Sequence, residues 1–217
     1  MSTDHHPIPL SLYCHLPWCI QKCPYCDFNS YTHRPNDQFT SYTEALCHDL
    51  IASAPLAKNR PLQSIFFGGG TPSLFAPEYF ERFLQTIYDY YPVDKYCEIT
   101  MEINPHTYER GWLDGYRKLG INRASVGAQS FSTSLLSALG RTHSPDNIFQ
   151  TYETLQLSGF DNINIDIEKA SRDNKKNDQK NLNDITRDYF NSKEYGKPFT
   201  YTEEYYDQFI LNTLKNF

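Results

Sequence analysis

Short apolar runs alternate with longer stretches of helical period through the first 167 residues, and this alternation limits the fold more than any single residue does. Residues 8–14, 64–67, 98–103, 122–127 and 162–167 read as strands. A helix is expected over 38–53, with Tyr42, Ala45, Leu46 and Leu50 on one stripe. Pro77 opens a second helix, in which Phe80, Phe83, Leu84, Ile87, Tyr88 and Tyr91 keep helical spacing until Pro92 stops it. A third is expected over 106–119, ended by Gly120. Ser132 caps a short helix closed by Gly140, and Ser144-Pro145 starts another that runs to Ser158, with Gly159 as its stop. Strands joined through helices cannot pair as hairpins, so the alternation predicts a parallel α/β sheet with right-handed crossovers. Such sheets gather their chemistry in the loops beyond the strand C-termini.

Two of those loops have the composition for it. After the first strand, Cys19-Ile20-Gln21-Lys22-Cys23-Pro24-Tyr25-Cys26 sets three cysteines at C-x3-C-x2-C spacing. Three thiolates on one tight loop can hold three irons of a cubane cluster and leave the fourth iron open. Soft thiolates suit iron–sulfur clusters and zinc alike; zinc would ask for a fourth ligand, with His15 the near candidate. Disulfides fit poorly, because three clustered cysteines cannot all pair. Cys14, Cys47 and Cys97 lie outside this spacing and read as small core residues. The second loop, Gly68-Gly69-Gly70-Thr71-Pro72, follows the second strand, where glycine lets the backbone approach a ligand that a Cβ would block. It lacks the Lys-Ser/Thr ending of a phosphate loop.

The cysteine spacing is that of the radical S-adenosylmethionine enzymes. Tyr13-Cys14-His15-Leu16-Pro17-Trp18-Cys19, continuing to Asp27-Phe28-Asn29-Ser30, resembles the HemW-like haem-chaperone branch of the oxygen-independent coproporphyrinogen III oxidase family. The resemblance extends through Gly68-Gly69-Gly70-Thr71-Pro72-Ser73, Met101-Glu102-Ile103-Asn104-Pro105 and Ser125-Val126-Gly127-Ala128-Gln129-Ser130-Phe131. Leu139-Gly140-Arg141-Thr142-His143 and Asn164-Ile165-Asp166 follow in family order, and the match stops near residue 167.

This resemblance implies an incomplete TIM-type (β/α) barrel of the radical SAM class over residues 1–167, with 168–217 as an atypical tail. It implies that Cys19, Cys23 and Cys26 bind a 4Fe-4S cluster whose free iron is chelated by S-adenosyl-L-methionine. An electron from the reduced cluster would then cleave the sulfonium C–S bond, giving methionine and a 5′-deoxyadenosyl radical. Cofactor contacts carry over to Tyr13, Tyr25, Gly69, Gly70, Thr71, Glu102, Gln129, Arg141 and Asp166. Their chemistry is consistent: Arg141 can fork onto a carboxylate, Glu102 can accept from an ammonium, and Gln129 and Asp166 can hold ribose hydroxyls. Coproporphyrinogen dehydrogenases of the family carry a further cysteine two positions past the motif, where this chain has Phe28. The implied function is therefore haem chaperoning, with haem passed to acceptor proteins and a flavodoxin- or ferredoxin-type donor as reductant. Two alternatives stay open: an oxygen-independent coproporphyrinogen III dehydrogenase of porphyrin biosynthesis, and a truncated, non-enzymatic cluster-binding remnant. His15 and His143 read as hydrogen-bonded structural residues rather than haem ligands.

Composition bounds the setting. Residues 168–217 carry nine Lys/Arg and nine Asp/Glu, so the whole formal charge of −6 sits in residues 1–167, with no basic stripe for nucleic acid. No apolar run approaches the ~20 residues of a membrane helix. The opening Met1-Ser2-Thr3-Asp4-His5-His6 has no signal-peptide regions, and a reducing cytoplasmic location is expected. From Glu168 the texture turns polar and rich in Asn, Asp and Lys, and reads as flexible. An amphipathic helix is expected at 203–215, bearing Tyr205, Tyr206, Phe209, Ile210 and Leu214, and the tail suggests a truncated or spliced product.

Overall fold

The chain runs β1 (Leu10–Leu16), β2 (Trp18–Cys19), β3 (Tyr31–Thr32), α1 (Phe39–Ser53), β4 (Leu62–Gly69), α2 (Pro77–Tyr90), β5 (Val93–Ile103), α3 (Leu113–Lys118), β6 (Arg123–Gln129), α4 (Thr133–Ala138), α5 (Pro145–Leu157) and β7 (Asn162–Ile167). Short 3-10 turns at Ala54–Ala57, Pro72–Leu74 and Glu109–Trp112 join these elements. This computed structural model describes residues 9–34, 38–105 and 109–167. The tail, with the helix expected at 203–215, lies outside the described residues, as do His5 and His6 and the expected helix start at 106–108.

Five strands form one sheet in the order β1-β4-β5-β6-β7, every neighbouring pair parallel, as the strand–helix alternation requires. Side chains alternate across each strand, and the two faces differ in chemistry. Cys14, Leu16, Ile65, Phe67, Ile99, Met101, Ile103, Ala124 and Val126 are buried and form one core with the helices. Phe80 and Phe83 of α2 meet Phe67 with ring centroids 5.0 and 6.2 Å away, and Tyr116 of α3 meets Phe80 at 5.2 Å. The intervening positions are mostly polar, with Phe66 an aromatic exception. Ser11 receives a bond from Ser64 at 2.8 Å, Glu98 lies 3.6 Å from Arg123, and Ser125 donates to Asp166 at 2.9 Å. A complete TIM barrel fills that inner face with branched apolar residues; in this sheet it is a polar wall.

Several sequence expectations shift. β4 runs on through Gly68 and Gly69, because these pair in register with His15 and Leu16 of β1. β5 begins at Val93, which is paired with Leu62, earlier than the apolar run alone indicates. The buried stripe of α1 is Thr43, Cys47 and Leu50, with Ala45 exposed; Thr43 is tolerated inside because its hydroxyl donates to Phe39 O at 2.8 Å. Tyr88 is 48% exposed rather than core. Ser132 occupies the N-cap position of α4 without a side-chain capping bond, whereas Ser144 and Asn147 make a full capping box on α5. Cys14, Cys47 and Cys97 are buried; burial, then Cys47, pushes the Cys14 thiol up to about 12. Among the described residues no helix is long and apolar enough to cross a membrane.

Candidate functional site

The cysteine loop is closed by the protein's own backbone. β2 and β3 pair in parallel, Trp18 opposite Tyr31 and Cys19 opposite Thr32, so the chain enters and leaves the loop side by side. Tyr31 N–H donates to Pro17 O at 2.8 Å and His33 N–H to Cys19 O at 2.7 Å. Inside, Cys26 N–H turns back onto Cys23 O at 3.1 Å, and Lys22 Nζ donates to the carbonyls of Phe28 and Ser30, both at 3.1 Å. Trp18 anchors the entry, with its ring 4.9 Å from Phe39, 5.0 Å from Tyr42 and 5.5 Å from Phe75. His15 supports the exit: its Nε2 lies 2.8 Å from Asn29 O, an acceptor, so Nε2 carries the proton. Nδ1 is then the acceptor for the Tyr13 hydroxyl at 3.0 Å. His143 is buried, with Nε2 donating to Ala128 O at 2.9 Å. Both histidines thus hold structure.

The glycine turn docks directly on this loop. Gly70 N–H donates to Leu16 O at 2.8 Å and Thr71 N–H to Trp18 O at 2.7 Å. A Cβ on Gly70 would lie 2.6 Å from the Pro17 carbonyl carbon and 2.7 Å from Trp18 O, both backbone atoms that cannot swing away. Gly69 has φ of +115° and would drive a Cβ into the His15 ring. Close approach of the protein to itself therefore already demands glycine at 69 and 70, before any ligand is considered.

Polar side chains link the turn to the cysteines. Arg141 donates through Nη2 to Asn104 Oδ1 at 2.7 Å and Gly127 O at 2.6 Å, and through Nη1 to Cys23 Sγ at 3.6 Å. Asn104 Nδ2 donates to Thr71 Oγ1 at 2.8 Å. Burial pushes the Cys19 thiol up, the neighbouring Thr71 and Ser30 hydroxyls oppose this, and Cys26 and Cys23 add to it. Gly140, with φ of +68°, lies against Pro24, and its carbonyl receives Gln21 Nε2 at 3.3 Å. Arg141 thus sets a donor at the Cys23 sulfur, while at Cys19 burial outweighs the two hydroxyls. Among the described residues no three His, Cys, Asp or Glu side chains converge as ligands of a single ion would; a cluster asks for less, since each thiolate binds a different iron.

Along the strand ends lies a carboxylate under stress. Glu102 Oε2 accepts from Gly69 N–H at 3.0 Å. Burial pushes its pKa up from 4.5 to about 7, the Gly69 bond opposes this, and the charge of Asp166 adds to it. Tyr13, raised first by burial and then by Glu102, stacks on Phe66 with centroids 6.1 Å apart. Asp166 accepts from Ser125 at 2.9 Å and Asn164 at 2.6 Å. Gln129 sits at φ of +66°, where β6 slips register against β7, a rare conformation for a residue with a side chain. Gly127 beneath it leaves room for Arg141, Gln129 and Asn104: a Cβ there would meet their polar atoms at 3.3 to 3.4 Å. Tyr25 is half-buried between the second and third cysteines. Sequence reasoning gave no role to Asn104, Ser30, Ser125 or Asn164. Asn104 lies one residue past the end of β5, and its partners Thr71 and Arg141 come from distant segments, so its own neighbourhood gave no signal.

A profile of the Radical SAM superfamily matches residues 13–169. The chain is 40% identical over 159 residues to the haem chaperone HemW of Escherichia coli, covering 73% of this chain and 42% of that protein. To the oxygen-independent coproporphyrinogen III oxidase of Synechocystis it is 34% identical over 165 residues, covering 76% of this chain and 35% of that protein. The chain thus spans less than half the length of these curated relatives. Its fold is similar to the solved coproporphyrinogen III oxidase HemN of Escherichia coli, described as a radical SAM enzyme, with a TM-score of 0.68 at 30% identity over 73% of this chain and 37% of that one. The profile match runs from β1 past the end of β7, through the cysteine loop and the glycine turn, and on that extent the chain belongs to the radical SAM superfamily.

Proposed function

We propose that Cys19, Cys23 and Cys26 hold a 4Fe-4S cluster, that S-adenosylmethionine lies beside it over the ends of β4 to β7, and that the chain works as a haem chaperone. The observation that carries this reading is the Arg141 donor, 3.6 Å from the Cys23 sulfur on a loop that carries three thiols. Such thiols fit a cluster, and Glu102, half-buried with its pKa raised to about 7, fits the ammonium end of the ligand, whose charge would favour the ionised carboxylate. When bound, cluster and ligand together supply one-electron cleavage chemistry. The chain's own residues bind and orient. Glu102 accepts from the amino group, Arg141 keeps guanidinium capacity for the carboxylate, and Asp166 and Gln129 reach the ribose, while Gly69, Gly70 and Thr71 form the floor and Tyr13 and Tyr25 the sides. Likeness to the HemW chaperones supports haem as cargo and transfer to acceptor proteins as the task. A flavodoxin- or ferredoxin-type reductant and a reducing compartment such as the cytoplasm belong to the same proposal, as does the division into a core at 1–167 and a tail at 168–217. Phe28, 63% exposed at the position where the dehydrogenases carry a cysteine, favours this reading over coproporphyrinogen oxidation.

The test is anaerobic reconstitution with iron and sulfide, then EPR of the reduced protein with and without S-adenosylmethionine, followed by gel filtration with haem. A reduced-cluster signal that shifts on adding the ligand, together with co-eluting haem, is the expected result. A cluster with no ligand-induced shift would leave only a cluster-binding remnant. Zinc in place of iron would sink the reading.

A further inference from the structure

We infer that Asn104 is the positioning residue that aims the Arg141 donor at the cluster thiolate of Cys23 and, through a bond to Thr71, orients the hydroxyl that neighbours Cys19. The inference rests on the cluster reading above. Asn104 follows Ile103 at the end of β5, its N–H donates to Ser73 Oγ at 3.4 Å, and the buried Pro105 after it keeps its backbone extended. Its amide works at both ends: Oδ1 accepts from Arg141 at 2.7 Å and Nδ2 donates to Thr71 at 2.8 Å. The orientation is forced, because arginine has no acceptor; the amide oxygen must face Arg141, and the nitrogen then faces Thr71.

That orientation propagates in both directions. Thr71 Oγ1 takes its proton from Asn104, so its own hydroxyl proton is free to point at Cys19. Arg141 is held at Nη2 by Asn104 and by Gly127 O, which turns Nη1 onto Cys23 Sγ at 3.6 Å. One rigid amide thereby sets the direction of both donors, and the network as described reaches Cys19 and Cys23 without including Cys26. Hydrogen bonds to cluster sulfurs stabilise added negative charge and raise the reduction potential. Asn104 therefore tunes how readily the cluster accepts its electron, without touching it.

Three variants of the full chain separate this from a merely structural role. Asn104→Ala removes both donors' support. Asn104→Asp is nearly isosteric and keeps the acceptor for Arg141, but it turns the other end into an acceptor that draws the Thr71 proton away from Cys19. Thr71→Val removes the same arm without adding charge. After anaerobic reconstitution, a redox titration followed by EPR should give a more negative potential in all three, with the largest shift in Asn104→Ala. Asn104→Asp combined with Thr71→Val should shift no further than the larger single change, since both act on one bond. Iron retention against a chelator should fall about 10–100-fold in Asn104→Ala. Thermal unfolding of the metal-free proteins is the control, and Asn104→Asp should melt near the wild type. A wild type that holds its cluster while Asn104→Ala keeps the same potential and iron retention would overturn the inference and leave the parent reading intact. Shifts that merely follow a lowered melting temperature would overturn it equally. A wild type that takes up no cluster overturns the parent reading, and this inference with it.

Discussion

Replacing Glu102 with Gln should stabilise the metal-free protein at neutral and alkaline pH, although it removes a charge proposed to bind the ligand. The carboxyl titrates near 4.5 in the unfolded chain and at about 7 when folded. The folded state therefore holds the proton more tightly. Its stability is full below the unfolded value and is lost as pH rises toward 7. The gap of about 2.5 units corresponds to about 3 kcal/mol, at about 1.4 kcal/mol per unit. Gln keeps an oxygen for the Gly69 N–H, now 3.0 Å from Glu102, and never ionises. The variant should then exceed the wild type by about 3 kcal/mol at about pH 8 and match it near the unfolded value. For a domain of this size that difference is about 6–12 °C in melting temperature. Unfolding followed by circular dichroism across the pH range reads it directly. Parallel curves for the two proteins would refute the reasoning, since they would mean that the penalty does not reside on this carboxylate. The wild type should also release up to one proton on binding S-adenosylmethionine below neutral pH, which calorimetry in two buffers of different ionisation enthalpy measures.

Other substitutions test the packing around the loop. Gly70→Ala sets a Cβ against the Pro17 and Trp18 backbone and should cost about 1–3 kcal/mol, lowering both the melting temperature and iron uptake. Tyr116→Phe removes a buried hydroxyl 2.8 Å from Phe75 O and 3.1 Å from Ser73 O, and should cost about 1 kcal/mol in urea unfolding. His15→Ala and His143→Ala should leave the absorption spectrum of bound haem unchanged, because hydrogen bonds to Tyr13, Asn29 and Ala128 already engage these rings. A changed Soret band in either variant would make that histidine a haem ligand.

The parts of this molecule that repeat along the chain were readable in the sequence, and the parts made by distant segments meeting were not. β7 was placed residue for residue, because Asn162-Ile163-Asn164-Ile165-Asp166-Ile167 alternates cleanly after the stop at Gly159. In α1 the expected Tyr42, Leu46 and Leu50 do pack on the core, but Ala45 is exposed and Thr43 and Cys47 are buried in addition, since burial of Thr43 depends on an internal bond that hydropathy does not reveal. The two-residue strands β2 and β3 have no periodicity to detect; the backbones of Pro17 and Cys19 meeting those of Tyr31 and His33 create them. In the site, cysteine spacing and the glycine run announced themselves, but the reading of the glycines missed their contacts with Pro17, Trp18 and His15. Asn104 was hidden for a different reason. Its partners lie 33 and 37 positions away, and its influence on the thiols passes entirely through them.

The small ladder between β2 and β3 bears on when the proposed cluster site would have to be made. In a zinc finger the ion supplies the energy that orders the chain, and the empty form is unfolded. Here the ends of the cysteine segment are fastened by peptide donors and acceptors of the chain itself, so closing the loop does not rest on an ion. On the proposed reading, folding and cluster assembly are separate events, and a cluster lost to oxygen should be rebuilt on the same fastened loop without refolding the chain.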